Sequence, residues 1–235
     1  LYKRNCLAEL IEKLSAVDGI DWIRLHYAYP AGFPMDILPV MANNPKVCKY
    51  LDLALQHISN NMLSIMRRRI TKEQTLDLLK SIREQVPGIH IRTTFITGHP
   101  GETEADFNEL VEFVKEARFE RLGVFPYSHE EDTYSYKNYS DDIPDEVKQR
   151  RAETIMELQS EISRELNEAK VGMTMPVIID AYEDGNYIGR SQFDSPEVDP
   201  EVIVKSDIDL EIGQIYNVKI TAAEDYDLMA EYITK

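Results

Sequence analysis

A change of rhythm near residue 170 constrains this chain more than any other feature. Before it, apolar strand-like segments begin near residues 20, 50, 89 and 121, and each is followed by a stretch with helical spacing. Strand and helix alternating in this way predict a parallel sheet joined by right-handed crossovers, with its working face at the C-terminal ends of the strands. Four strands cannot close a TIM barrel, so the sheet is expected to be open or to lack strands. After Gly172 no helical spacing remains. Segments 175–182, 187–190, 201–205, 214–222 and 227–233 read as short strands, separated by turn signals such as Asp184-Gly185-Asn186. Five short strands in so small a space suggest a closed all-β barrel of the OB kind. The expected division is 1–169 and 170–235.

Within the first part, Leu7, Leu10, Ile11 and Leu14 mark one face of a helix over Lys3–Val17. A short helix is expected around 36–42, then a strand over 50–55 and helices over 60–68 and 72–85. Thr71 and Gln74 form a capping-box pair at the start of the last of these, and Pro87-Gly88 closes it. Strand 89–97 leads through Gly98-His99-Pro100-Gly101 into a helix over 104–117 with Thr103 as N-cap. Strand 121–127 is followed by a polar segment over 128–143. Pro144 then stands where a first-turn proline belongs, opening a long helix to about Val171.

Charge narrows the classes of partner. The chain holds 26 Lys+Arg against 42 Asp+Glu, a net of −16. Residues 170–235 carry 5 basic and 14 acidic residues, so under a third of the chain holds a net of −9, more than half the total. Binding along a phosphate backbone depends on clustered Lys and Arg, and the second barrel lacks them, so no direct nucleic-acid binding is expected of it. A negative barrel suits a basic protein, with a soluble spacer as the plain alternative. No apolar run approaches the ~20 residues of a membrane span, and Leu1-Tyr2-Lys3-Arg4 does not open a signal peptide. Cys6 and Cys48 stand alone, which excludes a disulfide framework and any all-cysteine metal site built from this chain.

Four groups of residues fall at the strand ends: Tyr27–Pro30, Gln56-His57, Thr97–Glu102 and Tyr127–Glu131. His26, His57, His99 and His129 lie at or beside these ends, which points to a site, though no histidine spacing suits a metal. The Gly98–Gly101 turn either brings bare backbone to a ligand or simply joins strand to helix. Arg67-Arg68-Arg69 reads as a solvated helix end. By the period-two rule Arg92 and Thr94 share a strand face and would look into a barrel lumen. There a buried arginine needs an anion, so a carboxylate-bearing ligand is expected.

Several strings occur together in order: Arg24-Leu25-His26-Tyr27-Ala28-Tyr29-Pro30, Tyr50–His57, Met66-Arg67-Arg68, Arg92–Thr103, Tyr127–Thr133, Ile188-Gly189-Arg190-Ser191 and Ser195-Pro196-Glu197-Val198-Asp199. With these the chain resembles, from end to end, the radical-SAM methylthiotransferases. It is most similar to the RimO branch, which methylthiolates an aspartate on a small-subunit ribosomal protein. The Leu55-Gln56-His57 strand end and the Pro196–Asp199 string favour that branch over the tRNA-modifying one.

The resemblance implies a partial radical-SAM TIM-like barrel followed by a small TRAM barrel. The four strands would be the third to sixth of the barrel, in a C-terminal piece whose cluster-binding C-x-x-x-C-x-x-C loop lies outside the chain. It implies S-adenosylmethionine and, in the whole enzyme, two 4Fe–4S clusters with no ligands here, so this piece alone is expected to be inactive and colourless. The residues carried over to cofactor binding are Gln56, Arg92, Thr94, Gly98, Tyr127 and Ser128, with Ile96–Gly98 packing on adenine. Catalytic residues are not identified. The expected partner is a basic small-subunit ribosomal protein in the cytoplasm, with no membrane. A tRNA methylthiotransferase and a non-catalytic binding module are the competing readings.

Overall fold

The structure, a computed structural model, describes residues 4–233. Its first half is a parallel sheet in the order β1 (Ile23–Ala28), β2 (Val47–Gln56), β3 (His90–Thr97) and β4 (Arg121–Pro126). Along β2 and β3 the register sets Leu51 beside Ile91, and along β3 and β4 it sets Thr94 beside Gly123. Helices α1 (Leu7–Ser15), α2 (Leu38–Asn43), α3 (Asn60–Ile65), α4 (Lys72–Gln85) and α5 (Glu104–Ala117) lie between and before the strands. The capping boxes at Thr71–Gln74 and Thr103–Asp106 both form, so α4 and α5 start where their sequences dictate. Leu51, Leu53, Leu55, Ile91 and Phe95 pack beneath these helices in one apolar core. Phe95, Phe113 and Phe119 meet edge to face there, with centroids 5.6–6.1 Å apart.

Four expectations need correction. Of the stripe on α1, Ile11 is buried, but Leu10 and Leu14 stay exposed, and the helix makes its main contacts with α2 and the neighbouring turn. The helix expected over 60–68 stops at Ile65, since Arg67 and Arg69 take left-handed conformations that a helix cannot continue. The polar segment 128–143 contains a short helix, α6 (Tyr134–Asn138), started by the Thr133 hydroxyl accepting from the Tyr136 N–H. Pro144 is also one place earlier than expected: with ψ 142° it is the N-cap of α7 (Asp145–Glu168). Lys3, where the first helix was expected to begin, lies outside the described residues.

The second half is a closed barrel in the order β5 (Thr174–Glu183), β6 (Asn186–Ser191), β7 (Val202–Lys205), β9 (Leu228–Tyr232) and β8 (Ile215–Ala223). It has a core of its own around Val177, Ile179, Val204, Val218 and Ile220. Gly189 is required by packing: a side chain there would strike the Ile178 carbonyl of the neighbouring strand at 2.5 Å. Helix α7 ties the halves together. Its Gln159 donates to the Phe119 carbonyl at 2.9 Å, and its Asn167 donates to the Tyr226 carbonyl at 2.7 Å. No helix among the described residues is long and apolar enough to cross a membrane.

Candidate functional site

Alternation along the strands sorts the residues to two faces. Ile91, Thr93, Phe95 and Thr97 are buried under the helices, whereas Arg92, Thr94 and Ile96 look to the other face, the lumen side. Tyr50 and Asp52 of β2 share that face, paired with His90 and Arg92. Gln56 lies beside Phe95 after an irregularity that follows Leu53, and Thr94 lies beside Gly123; Gln56, Thr94 and Gly123 are each half-buried towards the C-terminal ends. The side chains of Gln56 and Thr94 make no hydrogen bond among the described residues. A side chain at Gly123 would meet the ring of the exposed Phe125, two residues further on, at 4.0 Å. Tyr27 and Gln56, at the ends of β1 and β2, both have positive φ, of 57° and 70°. Non-glycine residues rarely hold such angles, and they concentrate at functional sites.

One buried carboxylate organises the strand ends. Glu102 accepts from the Gly98 N–H at 2.6 Å and from Arg151 of α7 at 2.6 Å, and its other oxygen lies 3.1 Å from His57 Nε2. The Ile58 and Ser59 N–H groups both donate to His57 Nδ1, at 2.9 and 3.1 Å. Nδ1 is therefore an acceptor and the ring proton sits on Nε2, facing Glu102. This fully buried histidine is locked in one tautomer with both nitrogens occupied, and it serves structure.

Gly98 makes the close contacts of a joining turn. Its φ is 73°, a Cβ there would collide with Lys148 Cγ, and its N–H is already given to Glu102. The bare backbone meets helix α7, so the joining function of the turn prevails. Its neighbour His99 is buried, with Nδ1 3.0 Å from the Pro100 carbonyl and Nε2 2.8 Å from the Ser135 hydroxyl. Burial holds its imidazole below the ordinary value. Its ring meets Tyr127 edge to face at 4.7 Å, and the Tyr127 hydroxyl lies 2.9 Å from His129 Nδ1. Burial first, and then the charge of Asp141, raises the Tyr127 phenol. Ser128 is exposed and donates to Glu130 at 2.6 Å.

Arg92 lies deeper on the lumen face, where anions from within the chain meet its charge. Its Nε pairs with Asp199 at 3.2 Å and one terminal nitrogen with Asp52 at 3.4 Å, so the chain supplies both anions itself. Asp52 lies opposite Arg92 through the register of β2 on β3, which the alternation within either strand does not fix. Asp199 was not legible from the sequence, because it arrives from the second barrel, 107 residues along the chain. His57, His99 and His129 gather at the strand ends, the first two buried and His129 against Tyr127, while His26 is exposed on β1 and stands apart. Among the described residues no group of three or more His, Cys, Asp or Glu is arranged to hold a metal ion.

Comparison with known proteins gives two family matches. Residues 3–114 match the radical SAM superfamily and residues 171–233 match the TRAM domain. Proteins named ribosomal protein uS12 methylthiotransferase RimO align along the whole chain. That of Bacteroides thetaiotaomicron is 56% identical over 236 residues, covering 100% of this chain and 54% of the relative. That of Porphyromonas gingivalis is 57% identical, covering 99% and 54%, and that of Christiangramia forsetii is 56% identical, covering 98% and 51%. The chain thus spans about half the length of the curated relatives it matches.

Proposed function

The chain belongs to the radical-SAM methylthiotransferases, and from that premise we propose that it supplies the cofactor-facing strand ends and the substrate-recognising barrel of a ribosomal-protein methylthiotransferase. The reaction would place a methylthio group on the β-carbon of an aspartate in a small-subunit ribosomal protein, in the cytoplasm. The observation that carries this reading is identity of 56–57% along the whole chain with relatives named for uS12 methylthiolation. The division 1–169 and 170–235 belongs to the same proposal.

The residues fit S-adenosylmethionine at one place. Gln56 and Thr94 offer amide and hydroxyl groups without partners among the described residues on a half-open face, near Gly123 and the exposed Phe125 ring. Tyr127 and Ser128 border the same strand ends, Arg92 lies below them, and Gly98 contributes through the shape of its turn. When bound, S-adenosylmethionine supplies radical hydrogen abstraction and a methyl group. The residues of this chain bind and orient it and keep water from the reacting centre. They do not fit an iron–sulfur cluster, because the two cysteines stand apart and no metal-ligating group forms among the described residues. The two 4Fe–4S clusters of the family reading therefore find no ligands here, and no redox step is attributed to these residues.

The barrel's net charge of −9 favours a basic protein partner over RNA. The test is co-precipitation of the chain with a basic small-subunit ribosomal protein and, separately, with tRNA, across a salt series. The expected result is capture of the ribosomal protein, weakening as salt rises. Capture of tRNA alone would overturn the reading in favour of a tRNA-modifying enzyme.

A further inference from the structure

The lumen face is closed from below by a segment that the sheet does not supply. Residues 191–199, between β6 and β7 of the second barrel, touch the lower half of all four parallel strands. Arg24 of β1 donates to the Ser191 carbonyl at 3.1 Å. Tyr50 of β2 donates to Asp199 at 2.7 Å, and Phe193 stacks on His90 of β3 with centroids 4.0 Å apart. Arg121 of β4 pairs with Asp194 at 2.6 Å.

Within this segment Asp199 has the most constrained carboxylate. Its side chain is 3% exposed. One oxygen accepts from the Ser195 N–H at 2.8 Å and from the Tyr50 hydroxyl, and the other faces Arg92 Nε at 3.2 Å. Burial and then the charge of Asp199 push the Tyr50 phenol up, so it stays a donor. Asp52, the second partner of Arg92, makes the longer contact at 3.4 Å and also receives the Tyr27 N–H at 3.3 Å. The remaining terminal nitrogen of Arg92 has no partner among the described residues. Arg92 and Asp199 together line a cavity of about 340 Å³ bounded by Gly123, Leu122 and Gln159.

We propose that Asp199 is a positioning residue: it fixes the Arg92 guanidinium so that its free terminal nitrogen is presented to the lumen, making the second barrel part of the cofactor site. The proposal rests on the reading that S-adenosylmethionine lies along this face. A carboxylate held by two fixed donors, the Ser195 N–H and the Tyr50 hydroxyl, restrains the arginine at Nε and leaves the far end of the fork for an acceptor on the ligand. Asp52 alone, with one long contact, leaves the side chain free to swing.

The test compares Asp199→Asn with Tyr50→Phe in the whole chain. Two quantities are read: hydrogen exchange at the Arg92 Nε–H by NMR, and S-adenosylmethionine affinity by equilibrium dialysis. Asp199→Asn removes the charge that holds Arg92 but keeps an oxygen for the Ser195 N–H. Tyr50→Phe removes a bond to the same carboxylate without touching Arg92. Asp199→Asn is expected to speed the exchange and weaken the affinity by about tenfold each, the scale of one lost charge-assisted hydrogen bond. Tyr50→Phe leaves the charge of Asp199 and the Ser195 N–H in place and is expected to move both in the same direction by no more than about twofold, well short of the charge removal. The proposal is overturned if Asp199→Asn leaves exchange and affinity unchanged, or if Tyr50→Phe reproduces its effects, which would mark the segment as packing alone. If the wild-type chain binds no S-adenosylmethionine while Asp199→Asn still frees Arg92, the cofactor reading fails and the Asp199–Arg92 coupling stands.

Discussion

At the scale of single residues, Glu102 joins more elements than any group at the mouth. It reaches from the turn after β3 to His57 at the end of β2, to the Gly98 N–H, and to Arg151 on α7. Buried charge is costly unless it is paired, and both oxygens of Glu102 are engaged, although Arg151 Nε is left without a partner. Glu102→Gln keeps the volume but removes the charge opposite Arg151, whose other carboxylate partner, Glu104, is exposed. A loss of about 3 kcal/mol is expected, the lower end for breaking a buried pair from one side. Urea unfolding followed by circular dichroism checks it, and a loss under about 1 kcal/mol, the level of an exposed pair, would show that the cluster is not stabilising. The Gly98 result belongs at this scale too. A glycine before a helix had two readings, and the deciding contact, Lys148, comes from 50 residues downstream, where no local pattern could reveal it.

At the scale of elements, local chemistry carried much of what could be read. The capping boxes at Thr71 and Thr103 and the alternation along β3 all appear where the residue types place them. What escaped reading was contact between distant elements. The strands, caps and periods of the first half contain no hint that Ser191–Asp199 lies under the sheet, because its aspartates look like any other part of an acidic barrel. The Arg121–Asp194 pair gives this docking a test. Asp194 is held by Ser191 Oγ at 2.6 Å and by Arg121, and both members of the ion pair are at most 5% exposed. Asp194→Asn leaves a charged, buried Arg121 and is expected to cost about 3–5 kcal/mol. Since Val177, Ile179 and Val218 do not depend on it, the second barrel should keep its core while the segment loosens. Limited proteolysis should then cut within residues 191–199 of the variant and spare the wild type, and equal resistance would contradict the docking role.

At the scale of the whole molecule, the seam between sheet and barrel gathers titrating groups whose signs can be worked out. Burial first, then Lys170 and Arg121, pushes the His90 imidazole well below its ordinary value of 6.5, with Asp194 opposing. Burial and Arg121 likewise lower Lys170 to about 8. In both cases the unfolded chain binds the proton more readily than the folded one, so stability rises with pH across the window between the two values. For His90 that window lies below 6.5, and for Lys170 it runs from about 8 to 10.5. Acidification from pH 7 to 5.5 should therefore weaken the molecule by roughly 1.4 kcal/mol per unit of pH once below 6.5 through His90 alone. Buried His99 adds to the same slope, so the difference between wild type and His90→Leu isolates the seam. Leucine keeps an apolar surface against Phe193 and removes a ring whose Nδ1 has no hydrogen-bond partner. Thermal unfolding of both proteins from pH 7.5 to 5.5 should give curves that diverge as pH falls, the wild type losing more. Parallel curves would mean that His90 takes up its proton in the folded state as easily as in the unfolded one, and that the seam is insensitive to acid.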